Sequence, residues 1–168
     1  PAATMGLAPY NRLAQGPAFE NSELQQRLAG AFSVKQLAAE VYQPETVHEI
    51  GLYTNGAWFR LVPRAHTYDP AHAVESLDAD IVQRHIFQPL LGIDDAADER
   101  LTFVGGNRDA EYLKQRVDLG HALYAITLTP VTMEQFVEVC RQNRLMPPKS
   151  SWFEPKIRSG LVMALLES

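Results

Sequence analysis

The side chains best equipped for chemistry gather in one stretch, Met146-Pro-Pro-Lys-Ser-Ser-Trp-Phe-Glu-Pro-Lys-Ile-Arg-Ser-Gly160. Pro147, Pro148 and Pro155 fix φ and remove backbone donors, so the segment is stiff. Lys149, Lys156 and Arg158 lie close in sequence to the hydroxyls of Ser150, Ser151 and Ser159. Cations and hydroxyls on a stiff loop suit a phosphate or carboxylate, because donors already held in place lose little freedom on binding. Trp152 and Phe153 can wall such a site. The same spacing also fits a rigid connector, with its aromatics plugging the core and its lysines in water, and that is the commoner fate of such a stretch.

Two further segments bear on an anion. Phe103-Val-Gly-Gly-Asn107 reads as a strand running into a turn before a helix, where the backbone N–H groups of Gly105, Gly106 and Asn107 attract negative charge. It is neither a GxGxxG fingerprint nor a P-loop, and a tight strand-to-helix turn also accounts for two glycines. Pro9-Tyr-Asn-Arg12 offers an amide and a guanidinium, and Arg12 has the bidentate geometry that carboxylates and phosphates favour. A surface ion pair is the alternative for Arg12.

The remaining reactive types are less organised. His48, His66, His72, His85 and His121 form no HxH or HExxH pair. His66 and His72, with Asp69 between them, have only weak ligand spacing, so no metal is assigned. His85 shares a helical face with Ile81 and is expected to be packed. Asp94, Asp95, Asp98 and Glu99 lack EF-hand spacing and read as a solvated loop. Cys140 sits at helical spacing with Met133, Phe136 and Val137 and is expected to be an inert core residue.

The elements that must position these residues follow from periodicity. Gly6–Pro17 reads as strand-to-loop. A helix opens at Asn21-Ser22, with a capping box from Ser22 to Gln25 and an apolar face of Leu24, Leu28 and Phe32. Asn55-Gly56, flanked by β-prone runs from His48 to Val62, predicts a type I′ hairpin. A helix runs from about Asp78 past His85, with Ser76 as its cap, Pro89 near its end and Gly92 beyond. Leu101–Val104 is a strand, 108–119 a helix closed by Gly120, and 121–129 a second, central strand. A helix capped by Thr132 spans 132–143, and Gly160–Leu166 is a last strand. The class is α+β, or α/β, with a mixed sheet and packed helices. One domain spans 1–168, with a flexible start at 1–5.

Composition sets the outer limits. The 168 residues are 46% hydrophobic and 21% charged, which suits one domain with its own core. Fifteen basic and 20 acidic side chains give a net charge of −5. Neither nucleic acid nor membrane is an expected partner. The longest apolar run, Leu161–Leu166, is too short to span a bilayer. The single cysteine excludes an intramolecular disulfide, and a cytoplasmic setting is the expectation.

Taken in order, Glu75-Ser-Leu-Asp78, Pro89-Leu-Leu-Gly-Ile93, Phe103-Val-Gly-Gly106, Met146-Pro-Pro-Lys-Ser150 and Trp152-Phe-Glu-Pro-Lys-Ile-Arg-Ser-Gly-Leu161 resemble the C-terminal half of the bacterial and archaeal family called domain of unknown function 1015. Pro9-Tyr-Asn-Arg12 and the Asn55-Gly56 hairpin followed by Trp58 fit the same pattern. Family members are usually much longer. The resemblance, together with Pro1 in place of a starting Met, implies a further N-terminal region of the same protein as a partner. Asp95-Ala-Ala-Asp98 departs from the family, which often has a proline and an arginine there. The family supplies no established activity, cofactor or catalytic residues to carry over.

The functional expectation is a small anionic ligand, held by Asn11, Arg12, Gly105, Gly106, Asn107, Lys149, Ser150, Lys156 and Arg158. It belongs either to a phosphotransferase-type enzyme or to a non-catalytic binding or interaction module, or the chain is the structural half of an enzyme whose site lies upstream. No cofactor is identified. Asp78, Asp118 and Glu154 are the acidic candidates for a general base.

Overall fold

The computed structural model describes residues 6–38, 40–105 and 108–154. The expected flexible start and the strand at Gly160–Leu166 lie outside these residues, as do Gly106, Asn107, Lys156 and Arg158. The chain order is β1 (Gly6–Ala8), β2 (Tyr10–Ala14), α1 (Asn21–Leu28), β3 (Phe32–Leu37), β4 (Ile50–Thr54), β5 (Ala57–Pro63), α2 (Asp78–Val82), β6 (Leu101–Gly105), α3 (Ala110–Asp118), β7 (Tyr124–Leu128), α4 (Met133–Arg141) and β8 (Trp152–Glu154). The class is α+β. Six strands form one sheet in the order β3-β5-β4-β7-β2-β6, and β1 pairs with β8 in a two-stranded ribbon. Every described pair is antiparallel, so strands and helices alternate after Leu101 without a parallel crossover.

Alternation along the strands divides the core between the two sheet faces. Ala14, Leu52, Phe59, Leu61 and Ile126 pack against Leu24 and Leu28 of α1 and against Ile81 and Phe87. Leu13, Tyr53, Trp58, Val104 and Ala125 form the other face, under Ala110 and Leu113 of α3. The hairpin is as its residues dictate: Asn55 and Gly56 sit at φ 47° and 72°, as a type I′ turn requires.

Helix ends show where local signals act. Thr132 caps α4 through a complete capping box with Gln135, and Asp109 caps α3 by accepting from the Tyr112 N–H. The Ser22 box does not form. α1 begins one residue before Ser22, and its N-cap Glu20 makes no side-chain bond. Leu77, not Ser76, is the N-cap of α2. Beyond Val82 the helix widens into a π-helical segment, Gln83–Leu91, which contains Pro89 and ends at left-handed Gly92. Cys140 is exposed rather than buried, because α4 turns Val139 inward and leaves Met133 and Val137 at the surface.

No helix among the described residues is long and apolar enough to cross a membrane.

Candidate functional site

Register brings one end of four adjacent strands together. Ile50 pairs with Leu128, Arg12 with Ile126, and Tyr10 with Gly105. The start of β4, the end of β7, the start of β2 and the end of β6 therefore share one edge, and His48, Thr129, Tyr10 and Gly105 lie along it. Antiparallel pairing alone achieves this, because it sets strand starts beside strand ends.

Arg12 is the central cation of this edge. It alternates with Ala14 and lies on the face covered by α1 and α2, and only 3% of it is exposed. Its guanidinium donates to the Tyr10 carbonyl at 2.6 Å and to the Lys149 carbonyl at 3.5 Å, and lies 5.4 Å from the Phe103 ring centroid. Among the described residues no carboxylate comes within ion-pair distance of it. Burial lowers its pKa to about 10, while the charge of Asp78 and the Tyr10 phenol pull the other way, so it remains a cation at neutral pH. It opens onto a groove of about 400 Å³, walled by Ala79, Gln83, Phe103, Met146 and Pro147.

The proline-rich loop meets this edge through the Lys149 carbonyl. Lys149 is exposed and adopts φ 55°, a conformation that few residues other than glycine take. Ser150 is buried and donates to the Pro147 carbonyl at 2.7 Å. Trp152 lies edge-on to Tyr10 at 5.4 Å and covers Gly105. Arg12, Gly105, Lys149 and Ser150 thus come together from three segments. Asn11 points to the opposite face. It is fully buried, accepts from the Leu128 N–H at 3.0 Å and donates to Gln43 at 3.3 Å.

One group absent from the expected ligand set stands beside these residues. The Asp78 carboxylate is 8% exposed. One oxygen lies 2.9 Å from His48 Nδ1, and the other accepts from the His48 backbone N–H at 3.1 Å and from the Thr129 hydroxyl at 3.3 Å. A small chamber of about 10 Å³ separates Tyr10, Asp78, Thr129 and Ser150. That is close to the space one water molecule needs. His48 and Asp78 are 30 positions apart with no shared motif, so spacing carried no signal of the pair. The one local hint was the position of Asp78 at a helix start. Asp118, another acidic candidate, is instead engaged by Lys114 and by the Tyr53 hydroxyl.

One edge of the sheet of this α+β domain thus gathers a buried arginine, the proline-rich loop and an aspartate-held histidine. Its fold is shared with solved structures. A mutant free serine kinase in complex with AMP superposes with a TM-score of 0.54 at 12% identity, over 90% of this chain and 55% of that one. A second free serine kinase mutant, also with AMP, gives 0.51 at 11% identity and the same coverage. A conserved hypothetical protein from Pyrococcus furiosus gives 0.53 at 12% identity, over 90% and 56%. The chain therefore spans about half the length of the structures it resembles. At these identities the likeness is one of fold. No family model and no curated protein matches the chain.

Proposed function

We propose that this chain binds a small phosphate- or carboxylate-bearing metabolite at the sheet edge around Arg12, as part of a phosphotransferase-type enzyme. The observation that carries the reading is Arg12 itself. A guanidinium this deeply buried is costly without a counter-charge. Here it meets two carbonyls and an aromatic face, but no carboxylate at ion-pair distance among the described residues, and it lines an open groove. An anion entering the groove would supply the missing charge through charge-assisted hydrogen bonds. Asp80, Asp94 and Asp95 also line the groove, which favours a ligand whose negative charge is local to the Arg12 end. Gly106, Asn107, Lys156 and Arg158 remain proposed ligand residues, and Asn11 acts by holding β2 to β7. The shared fold with a kinase solved with AMP supports a nucleotide as one such ligand. The family resemblance adds that the chain forms the C-terminal part of a longer protein.

Thermal unfolding of the full chain with inorganic phosphate, AMP and ADP tests this. At a hundredfold excess over Kd, a ligand of the native state adds about 2.7 kcal/mol. That raises Tm by roughly 5–10 °C in a protein of this size. No rise with any of the three at millimolar concentration overturns the proposal.

A further inference from the structure

Phosphoryl transfer to a hydroxyl needs a proton acceptor, and the structure offers a specific one. We propose that His48, oriented by Asp78, takes the proton of the attacking hydroxyl. This inference rests on the phosphotransferase reading above and names a residue that the reading does not use.

The geometry is that of a held base. Nδ1 faces an Asp78 oxygen at 2.9 Å, which places the ring proton on Nδ1 and leaves Nε2 as the acceptor. Nε2 has no partner among the described residues, and the side chain is 30% exposed. The ring is fixed from its face by Tyr68, with centroids 4.6 Å apart. The Asp78 carboxylate is itself fixed by the His48 N–H and the Thr129 hydroxyl, so three donors converge on one buried acid. A carboxylate needed only to start α2 would not require the imidazole as well.

The backbone points the same way. His48 stands at φ 65°, and Lys149 at φ 55° on the loop that meets Arg12. Non-glycine residues held in this region concentrate at functional sites. His48 precedes β4 and Arg12 lies on β2, two strands away across the sheet and, by register, further back along the strands. Asp78 stands between them, bonded to one and electrostatically coupled to the other. A substrate with its anionic group on Arg12 must extend past Asp78 to bring a hydroxyl to His48.

In the step proposed, the substrate O–H bond breaks and its proton passes to Nε2. The oxygen forms a bond to the terminal phosphorus of a nucleoside di- or triphosphate. The P–O bond to the departing nucleotide breaks, and its electron pair leaves with the nucleotide. The charged and titratable groups around the ring are Asp78 on α2, Tyr68 on its face and the adjacent Glu49. Glu49 is itself engaged by Arg60 and Tyr42, and Arg12 faces Asp78 from β2.

The test is phosphorus NMR of the full chain with ADP or ATP and L-serine as the hydroxyl probe, alongside calorimetry with AMP. His48→Asn is the chosen variant, because asparagine tolerates positive φ. The expected result is a loss of kcat of about 100- to 10,000-fold, with KM and AMP affinity unchanged. Asp78→Asn, which cannot hold the Nδ1–H tautomer, should lower kcat as well and leave AMP bound. If His48→Asn binds AMP and keeps the kcat of the unsubstituted protein, the inference is overturned and the phosphotransferase reading stands. If the unsubstituted protein binds AMP without turnover, both the inference and the transferase reading fall, and the anion site alone remains. If it neither binds nor turns over, all three fall.

Discussion

Gly105 lies directly under the indole of Trp152. A Cβ built on Gly105 would stand 2.3 Å from the ring. The glycine that reads as part of an anion-binding turn thus has a steric task as well: it lets β8 and its tryptophan close over the end of β6. Gly105→Ala should therefore cost about 1–3 kcal/mol, the usual penalty for overpacking. In a Trp152→Ala background the same change should cost little. Urea denaturation of the four proteins of this cycle measures the coupling between the two positions. An unchanged cost in the Trp152→Ala background would show that the indole is not the obstacle.

Arg12 should separate stability from function. Arg12→Met keeps an unbranched apolar stem beside Phe103 and removes a buried charge, so folding stability should stay within about 1 kcal/mol of the parent or rise. Phosphate and nucleotide binding should fall at least about a hundredfold, because the lost interaction is charge-assisted and buried. Calorimetry and thermal unfolding on the same samples check both halves.

What the sequence shows here depends on the range of the interaction. Asn55-Gly56, Thr132 with Gln135, and the β-prone runs at 50–63 and 124–128 are local, and each forms where its residues place it. Ser22 has the pattern of a capping box but no box forms, because Phe19 and Leu24 are set by the core and the helix starts at Asn21 instead. Cys140 has helical spacing to apolar residues, yet it faces outward with Met133 and Val137 while Phe136 and Val139 turn to the core, since periodicity gives a face and not its partner. At the site, Arg12 and the 146–152 loop were legible as cation-bearing segments. His48 was not, because its meaning comes from Asp78, 30 positions away on α2, and only tertiary packing joins the two.

Arg84 anchors the helix that carries Asp78, and beyond its i,i+4 spacing to Asp80 its contacts have no sequence signal. Its Nε meets Asp80 at 2.6 Å, and its two terminal nitrogens donate at 2.9 Å to the carbonyls of Thr67 and Glu75. A guanidinium makes all three contacts in one plane and an ammonium cannot. Arg84→Lys should destabilise the fold by about 1–3 kcal/mol. Hydrogen exchange should speed first in α2 and the segment before it. Uniform protection in the variant would mean that the three bonds do not hold this region.

The acid–phenol–guanidinium group beside His48 should give the stability curve a distinct shape at both ends of the pH scale. Arg60 and Tyr42 both bond Glu49, and the Arg60 contact holds its carboxyl below the usual range. A carboxylate with a depressed folded pKa stabilises above its unfolded value and loses that contribution as pH falls through the folded one. Glu49→Gln should therefore cost about 1 kcal/mol or less at neutral pH, since the pair is partly solvated, and the difference should close in acid. Tyr42 behaves in the opposite sense. Burial, with the Glu49 charge, raises its phenol to about 12. Its stabilisation is complete below the unfolded value of about 10 and drains away as pH rises toward 12. Tyr42→Phe should flatten that alkaline limb and only reduce the acid limb, since Arg60 is the larger cause of the lowered Glu49 pKa. Urea titrations of the parent and the two variants from pH 3 to 11 resolve the limbs separately, in about one-unit steps. Parallel curves for parent and Tyr42→Phe above pH 10 would remove the phenol from the account.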